Sequence, residues 1–483
     1  MLLYDNLLSV KKSICLSCIS KNLLIKTRDE VMENVNKVTK RQVAVATVAS
    51  VFGWSLDLFD LFLILYVAPT VGALFFPSKI PTLSLASVFA SFAISVLIRP
   101  LGSAIFGTYA DNRGRKKAMV IAVVGVGVST SLLGILPTYN HVGVVAPILF
   151  LLLRLLQGTF VGGVTASTHT IGTETVEPKW RGLMSGLITG GASIGALLAS
   201  VILYIVSSVF PGEAFNVWGW RFMFFSGLLS SVFGLILFRV LEESPVWIEM
   251  KKKEKTQDKD KPKKTPLRTI FSGQFARIML INIMIVAGAS TQYYLTSGYL
   301  PSFLSLINHV PKPVAGKILT IVSVIVIVSP VLVGHLSQFI GRKKTFLLTA
   351  IVNLPLLVWG YLQLAKATSF NEIILYTFII SFFGNAAYAP VLIFLNERFP
   401  TEVRASGTGL SWNIGFAIGG LMPTFVTLVS PNVKDITTNL IIFLVGSIAL
   451  MIIGTLLSPE TKGKFWSTEN VSAMESEQQR IPL

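Results

Sequence analysis

A charged loop occurs twice in this chain, each time between two apolar stretches. The first copy is Gly107-Thr108-Tyr109-Ala110-Asp111-Asn112-Arg113-Gly114-Arg115-Lys116-Lys117, the second Gly334-His335-Leu336-Ser337-Gln338-Phe339-Ile340-Gly341-Arg342-Lys343-Lys344. Gly107 and Gly334 are 227 residues apart. A second landmark, Glu174 followed by Arg181-Gly182, returns as Glu397 followed by Arg404-Ala405 at an offset of 223. Two unrelated landmarks with one period mean an internal duplication. A duplicated chain that crosses a membrane is constrained to two related halves.

The chain does cross a membrane. Apolar residues make up 52% and charged residues 13%, with a mean hydropathy of +0.68. Apolar stretches long enough to span hydrocarbon recur along it. They predict twelve helices, at 43–73, 84–110, 118–139, 143–172, 182–208, 221–241, 276–303, 313–338, 345–365, 371–396, 405–429 and 437–458. The short alternating segments of a spanning barrel are missing. The fold class is therefore an all-α membrane protein of two pseudo-symmetric six-helix bundles. The expected units are a tail at 1–41, a first bundle at 42–241, a basic linker at 242–270, a second bundle at 271–466 and a tail at 467–483.

A net charge of +17 suggests nucleic acid until its distribution is followed. Lys and Arg gather in the first 41 residues, in 111–117, 249–268 and 341–344, all on one side of twelve spans. The opposite loops hold few, such as Lys79, Lys312 and Lys434. That bias places both termini and the linker in the cytoplasm of a plasma-membrane protein and adds attraction to anionic lipid. Nucleic acid is excluded as a partner. Cys15 and Cys18 form a lone pair in the tail, too few for a four-ligand zinc site, and no cofactor or metal is expected. Met32 is an alternative start of translation.

Ionisable groups deep in a span are costly unless they face protein or water. Asp57 and Asp60 share a helix face, roughly 20 Å into the first helix, and Arg154 lies roughly 17 Å into the fourth at 1.5 Å per residue. The three are expected to meet at one depth and to exchange protons and substrate. Arg99 is closer to the cytoplasmic end, where it pairs with a first-helix acid or reaches for the surface. Gln292 and Tyr294 in helix seven, with Asn385 and Tyr388 in helix ten, are candidate pocket groups; hydrogen bonding between helices is the other reading. His169 is read as a packing residue. On the charged face, Gly107, Asp111, Arg115, Glu174, Arg181, Glu397 and Arg404 are the candidate cytoplasmic gate. Its second copy is expected to hold less, because Gln338 stands where the first has Asp111 and Phe339 where the first has Asn112.

The loop 107–117 resembles the signature between helices two and three of the major facilitator superfamily, with Asn112 in place of an arginine. Arg154-Leu155-Leu156-Gln157-Gly158 resembles its helix-four motif and Ser458-Pro459-Glu460-Thr461-Lys462-Gly463 the end of its twelfth helix. Arg99-Pro100-Leu101-Gly102, Val161-Gly162-Gly163 and the Asp57-x-x-Asp60 pair are similar to the metabolite–proton symporters and their sialate and lactate relatives, with Val164 where those symporters usually have Glu. The resemblance covers about 42–466. It implies the major facilitator fold, alternating access and proton-coupled uptake of a small organic acid; a sugar or polyol porter is the alternative. A Walker phosphate loop is missing, as is the Gly-Pro-x-x-Gly-Gly element of drug exporters. An integral-membrane enzyme would need a metal or nucleophile constellation, which four histidines and two tail cysteines do not supply.

Overall fold

The computed structural model describes residues 39–463 except 114, 175, 177, 241–272 and 400. For 40, 107, 108, 110–113, 115, 165–174, 178, 237, 238, 240, 274 and 401–406 it describes the backbone alone. The tails and linker expected from sequence, with Cys15 and Cys18, lie outside the described residues. So do the side chains of Asp111, Arg115, Glu174, Arg404 and His169, while Gly107 is described by its helical backbone.

Twelve helical spans follow one another, and the described residues contain no strand. We number them α1 (Lys40–Tyr66, continued by Ala68–Phe75), α2 (Pro81–Leu97, then Arg99–Arg113), α3 (Arg115–Leu133), α4 (Val145–Glu174), α5 (Arg181–Val209) and α6 (Phe215–Gly219, Trp220–Phe225 and Leu228–Val240). The second half has α7 (Gly273–Tyr293, Tyr294–Gly298, Leu300–Leu306), α8 (Lys312–Val326, Val328–Ile340), α9 (Arg342–Leu364), α10 (Phe370–Ala386, Val391–Arg398), α11 (Thr401–Leu428) and α12 (Ile436–Leu457). All except α11 contain a window apolar enough to cross a membrane.

The interruptions have local causes. Proline has no N–H to give to the carbonyl four residues back. Pro100 breaks α2 at Ile98, so Arg99 opens the second segment beside α1. Pro390 breaks α10 across 387–390, which presents Tyr388 to the interior and frees the Ala389 carbonyl, accepting from Ser185 Oγ of α5 at 3.1 Å. A wide π turn at Tyr294–Gly298 does the same in α7. At the start of α10, Ser369 Oγ accepts from the Glu372 N–H at 3.3 Å and the Ser369 N–H donates back to Glu372 at 3.4 Å. Ser369→Ala removes that cap and should cost about 1 kcal/mol, seen as a lower melting temperature with transport retained; an unchanged melt would show the cap to be idle.

Two seams join the halves. Along one, α5 runs antiparallel to α8. Gly182 and Gly186 lie against Gly334, Gln338 and Pro330 at the charged-loop end, Ser200 against Thr320 (3.1 Å), and Tyr204 against Gly316 at the far end. Small residues permit this backbone approach in a membrane. Along the other seam α2 meets α11, with Gly420 against Phe92 and Val96. Inside the first half, Gly102, Gly158 and Gly162 let α2 and α4 touch backbone to backbone.

Candidate functional site

The four intramembrane charges are all buried, at 2–4% exposure. Asp57 of α1 pairs with Arg99 of α2 at 3.6 Å, so Arg99 takes the first-helix acid rather than reaching for the surface. Asp60, one turn on, accepts from Thr130 of α3 and Gln157 of α4. Arg154 donates to the Gln157 carbonyl oxygen and to Ser95 Oγ at 2.9 Å, and its guanidinium lies 5.7 Å from the centre of the Phe92 ring. Asp60 and Arg154 meet at one depth, as their rise along the helices predicts, with the Gln157 amide standing between them. Gln157 and Thr130 are also bonded to each other, at 2.7 Å.

Facing these charges is a set of rings from the other half. Tyr293 stacks on Tyr388 at 5.3 Å and 12°. Trp412 stacks on Phe416 at 4.9 Å and 17°, and Tyr294 meets Phe416 and Phe92 edge-on. Trp54 of α1 reaches across to Trp412 at 5.6 Å. Tyr293 and Tyr388 are within electrostatic reach of Asp57 and Arg99, and Tyr294 also of Arg154. The hydroxyls of Tyr293, Tyr294 and Tyr388 and both oxygens of Asp57 have no hydrogen-bond partner among the described residues. Buried polar atoms are ordinarily paired, so these groups are chemically able to hydrogen-bond a polar guest or water. An adjoining void of about 20 Å³ between Tyr66, Ser193, Tyr293, Ser297, Ser323 and Asn385 has room for about one water.

The candidate residues are thus divided. Asp57, Asp60, Arg99, Arg154, Tyr294 and Tyr388 surround one centre. Asn385 lines the void and donates to Ser297 Oγ at 3.0 Å. Gln292 turns into the second bundle instead: Asn353 of α9 donates to its amide oxygen at 2.9 Å, and its amide nitrogen donates to the Gly288 carbonyl at 3.2 Å. That is hydrogen bonding between helices. Sequence reasoning gave no role to Gln157, Thr130, Ser95 or the rings of Trp54, Trp412 and Phe416. Gln157 stood in a quoted motif, and Trp412 and Phe416 are four apart on α11, a spacing that puts them on one face; no spacing links Trp54 of α1 to them.

On the charged-loop face, Arg342 holds Glu397 through two nitrogens at 3.1 and 3.2 Å and donates to Ser337 and Gln338 at 2.8 and 3.0 Å. Thr461 Oγ1 donates to Glu397 at 2.8 Å. Glu460, beyond α12, accepts the Arg342 and Lys343 N–H groups at 2.8 and 3.1 Å, capping α9. The loop copy expected to hold less therefore gathers a network of its own around Arg342, which stands where the first copy has Arg115. Gln338 also touches Gly182 across the seam, next to Arg181.

A family profile described as "Sugar (and other) transporter" matches residues 45–471. Among curated relatives, the glycine betaine/proline/ectoine/pipecolic acid transporter OusA of Dickeya dadantii (strain 3937) is 30% identical over 399 residues, covering 81% of this chain and 79% of its own. The proline/betaine transporter of Escherichia coli (strain K12) is 27% identical over 442 residues, 88% and 87% of the two chains. The inner membrane metabolite transport protein YhjE of the same strain is 30% identical over 424 residues, 86% and 94%. Among solved structures, the xylose transporter XylE from E. coli in a partially occluded inward-open conformation superposes with a TM-score of 0.67 at 18% identity, over 88% of this chain and all of that one. The same symporter bound to 6-bromo-6-deoxy-D-glucose gives 0.68, also at 18% identity, over 90% and 99%. At that identity the likeness is one of fold.

Proposed function

This chain belongs to the sugar (and other) transporter family of the major facilitator superfamily, and from that premise we propose that it takes up a small carboxylate-bearing zwitterion together with protons. The chain is a multi-pass secondary transporter of a small molecule, and its relatives are transporters, not enzymes. The observation that carries the finer reading is the balanced quartet Asp57, Asp60, Arg99 and Arg154 set against buried rings with unpartnered hydroxyls.

Two acids and two bases formally cancel, so a guest with no net charge adds no uncompensated ion to a buried site, which would be expensive. A plain organic anion adds one while Asp60 is ionised but is balanced once Asp60 takes up its proton, so the cationic end, and not the charge count, is what favours a zwitterion. The planar fork of Arg154 suits a carboxylate. Ring faces such as Trp412 and Tyr388 attract a cationic end, by about 2 kcal/mol when water is excluded. The curated relatives named for proline and betaine agree in chemistry with such a guest. In this reading the solute carboxylate replaces Gln157 and Ser95 on Arg154. Gln157 is then free to turn fully to Asp60, whose carboxylate carries the proton.

The test is uptake into proteoliposomes with and without an imposed proton gradient, using labelled proline, glycine betaine, lactate and xylose. Gradient-driven accumulation of the first two supports the reading; accumulation of lactate alone returns it to an organic anion, and of xylose alone to a sugar porter. Arg154→Lys keeps the charge and loses the fork. Affinity should fall by about 1.5–3 kcal/mol, the scale of a hydrogen bond to a charged group. Unaltered affinity in that variant would take the carboxylate away from Arg154.

A further inference from the structure

On the membrane face opposite the charged loops lies a groove of about 400 Å³. One wall is the end of α5 and the start of α6, with Phe210 and Phe215; the other is the α7–α8 turn, with Ser305, His309, Lys312 and Pro313. It is remote from the central quartet and belongs to both halves at once. Its wall contains two basic side chains and, among the described residues, no carboxylate. Glu213, the acid acting on Lys312, lies outside the wall and accepts from the Asn216 amide at 3.2 Å.

The turn is built to hold its side chains in place. Asn308 donates to the carbonyls of Leu364 and Ala367 at 2.7 and 3.1 Å. His309 has a φ of +52°, the only positive value at a residue other than glycine among the described residues. Such strain persists where surrounding structure over-determines it, often at ligand sites. Lys312 stands at the junction. Its ammonium lies 4.4 Å from the Phe215 ring centre and donates to Asn216 Oδ1 at 3.2 Å. Lys312 thus fastens α8 to α6 through a ring and an amide, with Glu213 acting on it from outside the wall; a carboxylate in the groove can outcompete the amide because both ends of its hydrogen bond are ionised.

We propose that this groove is a peripheral site for a small carboxylate, held by Lys312, and that filling it draws Lys312 off Phe215 and Asn216 and loosens the closure of this face. The site would receive solute ahead of the central one and couple its arrival to opening. It stands apart from the zwitterion reading above, because any simple carboxylate suffices to probe it.

The test uses full-length protein in neutral-lipid nanodiscs, with Cys15 and Cys18 replaced by Ser and a single new thiol from S305C. Millimolar acetate should slow maleimide labelling of that thiol several-fold, and choline should not. Lys312→Gln should abolish the protection, while Arg154→Lys should leave it intact. Acetate should also speed labelling of S200C on the α5–α8 seam. The proposal is overturned by no protection, by protection that survives Lys312→Gln, by its loss in Arg154→Lys, or by an S200C rate that acetate leaves unchanged. Protection by anionic lipid in place of acetate overturns it too, assigning the groove to headgroups. Failure of the zwitterion reading would appear separately, as absent uptake of proline and glycine betaine.

Discussion

Asp60→Asn will abolish proton-driven accumulation while leaving solute counterflow measurable. A carboxylate buried in a span is costly and is kept there for a task. Asp60 sits between two neutral partners, Thr130 and Gln157, with Arg154 reached only through the Gln157 amide. Asparagine preserves the shape and one acceptor but has no carboxylate to protonate and release. It also turns an N–H₂ group toward the Gln157 donor, so one of the two amides must flip. Binding should therefore weaken modestly, by about 1 kcal/mol for one neutral hydrogen bond. Uphill uptake, which needs the proton, should vanish at every imposed gradient. Size-exclusion and melting profiles like the parent's would separate this from misfolding. Accumulation against a gradient by the mutant would remove Asp60 from coupling.

Gly334→Val will force the charged-loop face open. A Cβ on Gly334 would sit 2.7 Å from the Cα of Gly186 and 3.0 Å from the Gly182 carbonyl oxygen. Both belong to the backbone of α5 in the opposite half, so no rotamer change relieves them. Overpacking a close contact costs about 1–3 kcal/mol, and here the halves can avoid it by parting at this end. A thiol at N413C, beside Ser103 on the neighbouring seam, should then label roughly five- to 150-fold faster, the equilibrium equivalent of that energy. Net transport should fall sharply, because the closed contact is a required stage of alternating access. Parental labelling together with parental transport would show that the seam yields without separating.

Much of this architecture was legible in the residues. Twelve spans follow from apolar length, since a membrane tolerates few other solutions. The breaks at Pro100 and Pro390 are not legible in the sequence, whose apolar stretches run as single helices over 84–110 and 371–396; proline's missing donor permits a break, but Pro355 and Pro423 stay inside unbroken helices. The shared depth of Asp60 and Arg154 follows from the helical rise. Partners across helices were not legible. Gln157, three residues on in the same helix, lies on the face of Arg154, but nothing in the sequence says that its amide stands between Arg154 and Asp60 of another helix. Gln292 and Tyr294 are two residues apart and so face different ways on a helix; which face meets the centre depends on how α7 rolls against α9 and α12. The ring cluster draws Trp54, Tyr293, Tyr388 and Trp412 from four helices, and no periodicity connects them. Arg342 aligns with Arg115 in the repeat; what the alignment does not give is its hold on Glu397, 55 residues further along the chain.

The α5–α8 seam has a mechanical corollary. Its two ends are tight: an added Cβ would come within 2.7–2.8 Å of backbone at Gly186 and at Gly316. Its middle is looser, since at Gly190 the nearest atoms are 3.4–3.6 Å away. A stiff pair of rods touching at both ends, with slack between, parts at one end by hinging on the contact at the other. Tilting one end apart presses the other end together, and ends already at backbone contact cannot be pressed further without resistance. Simultaneous parting of both ends would have to break the whole seam at once. The protection of the membrane against a short circuit is on this view a property of lever geometry, present before any solute arrives.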